Sequence, residues 1–504
     1  MSRIDCDVAV IGSGAGGGTM VAALAELARA GKRVILFEKG PKLDRSRFNG
    51  REVDMAELLF EAGGSFPVVD HSVTLAFSEG VGGSTQVYTG TSLLPPKRVI
   101  ERWNLPGVDH ADLCERAEAF RVQNNAHLLP GPDINDNNRL FQKGCEALGW
   151  HAEQFPVNVK GCKGSSLCNL GCPNDAKMGT QQVQIPAARA AGVELVTRAK
   201  VRTVRAGDAG GILDIEVSGA PHPHGKIAQS EWEPGRYEVH AHTVVVAGGA
   251  VHSPALLLRS GFGLDLPVLG RYWTCQPAHI LVGEHDKPLT NAIGHPKSFL
   301  YDQRVAEDRY FVEACMYFPF VTAKNLTGFG PEHHRLLKAY ERLQMILVLA
   351  CDDALPDQRV TIDAAGEPVV HYKLMPPTIT ALCKATRAAA QIFFAAGALA
   401  VHAPSARPTL LTRADKDHID ARISERHFLP GSVSVSAAHL MGGCRMGTTT
   451  ATSVTTPHGQ VHGQPWLYVA DASLFPTAIE VNPYLTVMAL ADHVAQAVLA
   501  RESH

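Results

Sequence analysis

Long apolar runs are missing from this chain of 504 residues. The densest, Met345-Ile-Leu-Val-Leu-Ala-Cys351, is strand length, whereas a helix needs ~18–20 apolar residues to cross a bilayer, so no transmembrane segment is expected. An excess of charge of either sign is missing too. The formal net charge is −3, which gives no electrostatic reason to expect nucleic acid or an anionic membrane as partner. Cysteine is sparse: eleven residues in the whole chain do not make a disulfide scaffold. Only a few residues precede the first apolar strand, so no secretory signal is expected ahead of it and a cytoplasmic location is the default. What remains is ordinary globular composition, 45% hydrophobic and 19% charged, at a length suited to two or three domains.

The most informative stretch is Asp5–Glu38. Asp5-Cys-Asp-Val-Ala-Val-Ile11 is short and β-branched, as a buried parallel strand should be. A Gly-x-Gly-x-x-Gly turn follows at Gly12, Gly14 and Gly17, then helix formers from Met20 to Ala28, a stop at Gly31, and a second strand Val34–Glu38. In such a unit the first glycine allows the tight turn, the second lets a pyrophosphate approach the backbone, and the third lets helix and strand pack closely. The helix N-terminus offers unpaired N–H groups to the phosphates. Glu38, 21 residues past Gly17, is placed to accept hydrogen bonds from a ribose. The unit predicts a dinucleotide and leaves NAD and FAD both open.

Further along, Gly40–Arg51 reads as a surface loop, and Gly80-Val-Gly-Gly-Ser84-Thr-Gln-Val87-Tyr88-Thr89-Gly90 offers a second glycine-rich backbone surface. Residues 101–150 read as helical. His242–Ala250 is another buried strand ending in small residues, and Ser253-Pro254 is expected to begin a helix, with proline in its first turn. From about Lys287 to Arg426 the texture changes to alternating and aromatic strands around a helix at Thr378–Ala396, expected to form an antiparallel sheet with helices on one face. The last 75 residues return to strand and turn chemistry. The expected fold is therefore α/β: a doubly wound, Rossmann-like domain built from residues 1–285 and 429–504, with a substrate-binding α+β domain inserted at 286–428.

Residues 161–173 hold three cysteines, Cys162-x5-Cys168-x3-Cys172, in a Gly- and Pro-bearing loop. Three convergent thiolates suit an iron–sulfur cluster lacking its fourth iron, while zinc ordinarily wants a fourth ligand. A structural loop of free thiols is the alternative.

Taken in order, the Gly12–Gly17 fingerprint with Glu38, the Gly80–Gly90 loop, Val244–Ser260, Ala438-His439-Leu-Met-Gly-Gly-Cys-Arg-Met-Gly447 and Asp471–Thr486 resemble the glucose–methanol–choline (GMC) oxidoreductases. The motif around His439 is similar to the branch containing long-chain alcohol oxidases and bacterial FAD-dependent sugar dehydrogenases. The resemblance implies FAD stretched across the doubly wound domain. It assigns cofactor contacts to Gly12, Gly14, Ala15, Gly17, Glu38, Gly82, Gly83, Ser84, Val87, Val201, Ala247, Asp471, Ala472, Asn482, Pro483 and Thr486. Val201 would meet adenine through its backbone, Asp471-Ala472 would lie by the ribityl and pyrophosphate, and Asn482-Pro483 at the flavin ring.

It also implies a chemistry. Oxidising an alcohol to a carbonyl requires removal of the hydroxyl proton and transfer of the α-hydride. His439 aligns with the family's catalytic histidine, and Asn482 with its hydrogen-bonding partner. The substrate would be a small-molecule alcohol: a sugar, a polyol or a hydrophobic alcohol. Some similar sugar dehydrogenases carry a [3Fe–4S] cluster on a comparably spaced cysteine loop and work beside other subunits. That implies Cys162, Cys168 and Cys172 as ligands, an electron-accepting or signal-bearing small subunit as partner, and a periplasmic location only if a partner carries the chain there. Two positions depart from the family pattern: Tyr88-Thr89 stands where an Asn-Gly pair is usual, and Glu480 where a small residue is usual, a carboxylate expected near the substrate. The rivals are an NAD-dependent dehydrogenase and a flavoprotein without alcohol turnover, such as a lyase or an electron-transfer subunit.

Overall fold

Val8, Ala9 and Val10 are fully buried because their strand lies in the middle of a sheet, with parallel neighbours on both sides. A computed structural model describes residues 2–220, 230–290, 293–326, 328–405, 409–429 and 431–503. In it, Ser2–Ile11 pairs in parallel with Val34–Phe37 on one edge and Gly235–Val246 on the other. Glu194–Val196 extends the first edge. The long strand Gly235–Val246 serves two partners. Its first half pairs antiparallel with Gly211–Val217, and its last residues pair in parallel with Leu467–Val469. The helix Ala15–Ala23 lies against Gln184–Ala190 and the C-terminal helix Tyr484–Glu502. This is the doubly wound α/β layer.

The second sheet is largely antiparallel. Its central strands are Ala278–Glu284, Leu343–Ala350, Tyr310–Ala314 and Phe299–Tyr301. Strands from outside residues 286–428 join it: Ala278–Glu284 itself, Ser436–Ala437, Phe66–Pro67, Thr74–Leu75 and Glu153–Gln154. The helix Pro376–Ala395, with two prolines at its tolerated first turn, covers one face together with Asp136–Ala147. The opposite face carries Ile280, Phe311, Met345, Leu347 and Leu349, packed with Leu326 and Leu336 from two short helices. Among the described residues no helix is long and apolar enough to cross a membrane.

Two local expectations are corrected. Gly40–Arg51 is not simply surface, because Leu43 and Phe48 are buried in a small apolar cluster with Met55, Leu58, Leu59 and Leu170. The helix expected to start at Ser253-Pro254 begins instead at Gly249 and runs to Arg259, with Pro254 inside it. Its start is drawn forward by hydrogen bonds: Gly249 N–H donates to Asp471 Oδ2 at 2.7 Å, and Gly248 N–H donates to Ser253 Oγ at 2.9 Å. These outweigh the one intrahelical bond that the proline removes.

Candidate functional site

The cleft starts at the C-terminal ends of the parallel strands, where open α/β sheets bind ligands. Gly12 takes a left-handed conformation, φ +98°, turning the chain out of the strand. A Cβ on Gly17 would lie 1.8 Å from the Gly12 carbonyl oxygen, so only glycine lets the helix sit this close. Gly14 caps the helix with no side chain bonded to its first N–H groups, which leaves them directed at the cleft. Glu38 is buried at the neighbouring strand end. It accepts hydrogen bonds from Ser13 N–H (3.1 Å) and Oγ–H (2.6 Å) and from Gly40 N–H (2.9 Å). Burial holds its carboxyl above the usual range, outweighing those bonds.

The walls enclose a cavity of about 240 Å³. Of the residues named from the sequence, Gly12, Gly14, Ala15, Glu38, Gly83, Ser84, Val201, Ala247, Asp471, Ala472 and Pro483 line it. Gly17, Gly82, Val87, Asn482 and Thr486 do not. Gly82 N–H donates to Ser13 Oγ (3.1 Å), tying the second glycine loop to the first, while Val87 packs in the Leu43 cluster. Thr486 Oγ1 and Asn482 Oδ1 are buried without a protein partner. Those orphaned oxygens and the uncapped helix end fit an extended dinucleotide. Lys39, Phe77, Ser78 and His252 also line the cleft, and sequence reasoning missed them. Lys39 follows Glu38 directly, which was the available signal. Its ammonium lies 3.1 Å from His252 Nε2 and pairs with Glu61. Asp471 is held by Gly249 N–H, Ser253 Oγ–H and Ser473 N–H, and burial raises its pKa.

At the far end, Ala438 and Leu440 line the cleft on either side of His439. Gln276 Nε2–H donates to the Val481 carbonyl at 3.3 Å. Its amide oxygen therefore faces His439 Nδ1, which must carry the proton. The lone pair is left on Nε2, 3.5 Å from Asn482 Nδ2. The ring is partly exposed yet densely surrounded. Desolvation pushes its pKa down to about 4, with Glu313 opposing that shift and Lys297 adding to it. Gln276 gave no signal in the sequence: it stands 163 residues from His439, in a stretch without a motif.

Of the two departures from the family pattern, Tyr88 is partly buried with its ring edge-on to Tyr484, centroids 5.0 Å apart, and its hydroxyl meets Asn158. Glu480, in a left-handed conformation at φ +68°, is not a free carboxylate. It pairs with Arg98 and Arg102. Cys162, Cys168 and Cys172 line one narrow cavity with Lys177 and His295. However, no group of three His, Cys, Asp or Glu side chains is arranged to hold a metal ion among the described residues, so the iron–sulfur expectation finds no ligand set here. Burial raises the Cys162 and Cys168 thiols above the ordinary cysteine range.

This architecture matches known proteins over its whole length. Superposition on pyridoxine 4-oxidase from Mesorbium loti gives a TM-score of 0.71 at 17% identity, covering 97% of this chain and 98% of that one. A formate oxidase of Aspergillus oryzae also scores 0.71, at 13% identity and 99% and 98% coverage. In sequence, an uncharacterized GMC-type oxidoreductase of Mycobacterium tuberculosis is 31% identical over 98% of this chain and 76% of its own length. A long-chain-alcohol oxidase of Arabidopsis thaliana is 27% identical over 97% and 68%. The family model for GMC oxidoreductases matches residues 56–278 in its N-terminal part and 357–491 in its C-terminal part. With the second glycine loop and the His439 end both inside the matched residues, the chain belongs to the GMC oxidoreductase family.

Proposed function

We propose that this member of a family of FAD-dependent oxidoreductases oxidises an alcohol group to a carbonyl, with His439 as the general base. The observation that carries the proposal is the His439–Gln276 bond at the end of the cleft. It fixes the tautomer that leaves Nε2 unprotonated where a hydroxyl can present its proton. Asn482 Nδ2, beside that nitrogen, orients the alcohol oxygen. Gly14, Gly83 and the uncapped helix end receive the pyrophosphate, Glu38 the ribose, and Val201 the adenine. FAD, when bound, supplies the acceptor for the substrate's hydride. Anaerobic bleaching of the bound flavin by a panel of sugars, polyols and alkyl alcohols tests the reading, followed by reoxidation with oxygen or a quinone dye. Bleaching by none of them sinks it. A protein isolated without absorbance near 450 nm would favour the NAD-dependent rival instead.

The pH dependence follows from the His439 pKa of about 4. Its imidazole is already neutral from about pH 5 upward. The bleaching rate is expected to be flat across neutral pH and to fall as pH drops toward 4, when Nε2 takes a proton. A rate rising about threefold between about pH 6 and pH 7 would show a base with an unshifted pKa.

The flavin is expected to be held without a covalent bond, because residues 84–90 contain no histidine or cysteine to attack its methyl carbon. Acid precipitation should release the yellow colour into the supernatant. Colour kept in the pellet would contradict this.

A further inference from the structure

We infer that His252, its tautomer set by Lys39, donates a hydrogen bond from Nδ1 to the adenosine half of the dinucleotide. The inference deepens the cofactor part of the reading above and rests on it.

His252 stands where three segments of the cleft wall meet. It lies in the first turn of the helix Gly249–Arg259. Its ring is 5.9 Å from that of Phe77, at 71° to it, and Lys39, directly after Glu38, reaches its Nε2 at 3.1 Å. All three line the cleft, together with Glu38 and Val201, the residues proposed above for the ribose and the adenine. An ammonium only donates. Burial works against the Lys39 charge, but Glu79 and Glu61 beside it outweigh that and hold its pKa above the usual lysine value. Nε2 of His252 therefore accepts, and the ring proton sits on Nδ1. Glu61 Oε2 does not compete for that proton: it is farther from Nε2, at 3.4 Å, and already receives the Lys39 ammonium. Burial, with Lys39 adding to it, lowers the His252 pKa, so the ring is neutral and Nδ1–H is its single donor.

The polar contacts of the ring, to Lys39 and Glu61, both run through Nε2. Nδ1 has no protein acceptor among the described residues, yet it is not one of the polar atoms enclosed by protein. In a ring that lines the cleft, that open atom faces the cleft. Other donors in the same part of the wall are engaged. Lys200 gives to Glu367 at 2.6 Å, Ser78 to the Leu59 carbonyl at 2.6 Å, and Arg259 to the carbonyls of Gly366 and Val201 at 2.7 and 3.3 Å. Adenosine supplies what Nδ1–H lacks. Its base and ribose carry acceptors, ring nitrogens and hydroxyl oxygens, and no charge, which suits a neutral imidazole. An ionised carboxylate such as Glu38 accepts from a ribose hydroxyl but cannot donate. His252 adds the opposite polarity at the same end.

The test titrates FAD into the full chain freed of flavin and reads the dissociation constant by calorimetry, which needs no turnover. Removing Lys39 would strand Glu61 and Glu79 against each other, so the informative changes are at His252. His252→Leu removes the donor and should weaken FAD at least about fivefold. His252→Asn places an amide N–H where Nδ1 stands and should bring the affinity back to within about twofold of the wild type, a rescue that a packing role for the imidazole would not give. Nitrogen NMR of the wild type with labelled histidine, the His252 signal identified by its loss in the Asn variant, should find the ring proton on Nδ1. If His252→Leu fails to fold, the tautomer and the Asn variant still decide. FAD held equally by the wild type and His252→Leu, a folded Asn variant at least about fivefold weaker than the wild type, or a proton on Nε2 overturns the inference and leaves the FAD reading standing. A wild-type chain that binds no FAD overturns the reading of the cleft, and the inference with it.

Discussion

His439→Ala is expected to slow flavin bleaching by the best alcohol by about 10²–10⁴-fold, the usual cost of losing a general base, while FAD stays bound. The second half of that expectation comes from position. The cleft is lined by Ala438 and Leu440, not by the imidazole between them, so the cofactor's contacts survive the change. Gln276→Ala offers a graded companion. It removes the acceptor that keeps the proton on Nδ1 and should cost about 1–3 kcal/mol in the barrier, roughly 5- to 150-fold. Asn482→Ala should fall in the same range or below it. A His439 variant that bleaches at the wild-type rate, or a Gln276 variant more damaging than the His439 one, would mean the base lies elsewhere.

Gly14→Val should yield a folded, colourless protein. The Gly14 backbone, φ −64°, is open to any side chain, and a Cβ there would meet nothing nearer than Gly83 Cα at 3.9 Å. The added group stands in the cleft itself, where the proposed pyrophosphate approaches the helix N-terminus. FAD affinity should fall at least about 100-fold, close to 3 kcal/mol, with little change in the stability of the apoprotein. Gly17→Val is the contrast. Its Cβ would sit 1.8 Å from the Gly12 carbonyl, so the loss should appear first as a lower Tm and insoluble protein. Visible absorbance and calorimetry on the two variants separate a binding wall from a packing contact. Full colour in Gly14→Val would remove the pyrophosphate from this turn.

The cleft was legible in the sequence because its signal is local. Gly12, Gly14, Gly17 and Glu38 lie within one strand–turn–helix–strand unit, and each is required by backbone geometry that the sequence itself displays. The antiparallel sheet was legible as texture, since alternation survives even when partners are unknown. What escaped was pairing at a distance. Gln276 and His439 are joined by a hydrogen bond that no spacing announces. The partners of Glu480, Arg98 and Arg102, lie nearly 400 residues earlier, so a carboxylate that reads as free is paired. Pro254 misled because a proline marks a helix start only when nothing stronger does. Here the Asp471 carboxylate, 218 residues from Ser253, recruits the preceding turn. The cysteine loop shows the same limit: three thiols close in sequence share a cavity without forming a ligand set among the described residues.

The strand Gly235–Val246 has a consequence for how the chain is made. Until Leu467–Val469 arrives, its Val244–Val246 end has one side unpaired, and the helix Ala15–Ala23 lacks its partner Tyr484–Glu502. During synthesis the nascent α/β layer therefore waits with a sticky apolar edge while more than two hundred residues are added. The C-terminal stretch from residue 429 onward also brings His439 and Asn482, and its last turn is stitched down by Glu502, which accepts from Thr243 Oγ–H at 2.6 Å and pairs with Lys32 at 2.9 Å. Completion of the core and arrival of the proposed base are thus one late event. A ribosome-stalled or truncated chain ending before residue 467 should seek chaperones rather than cofactor.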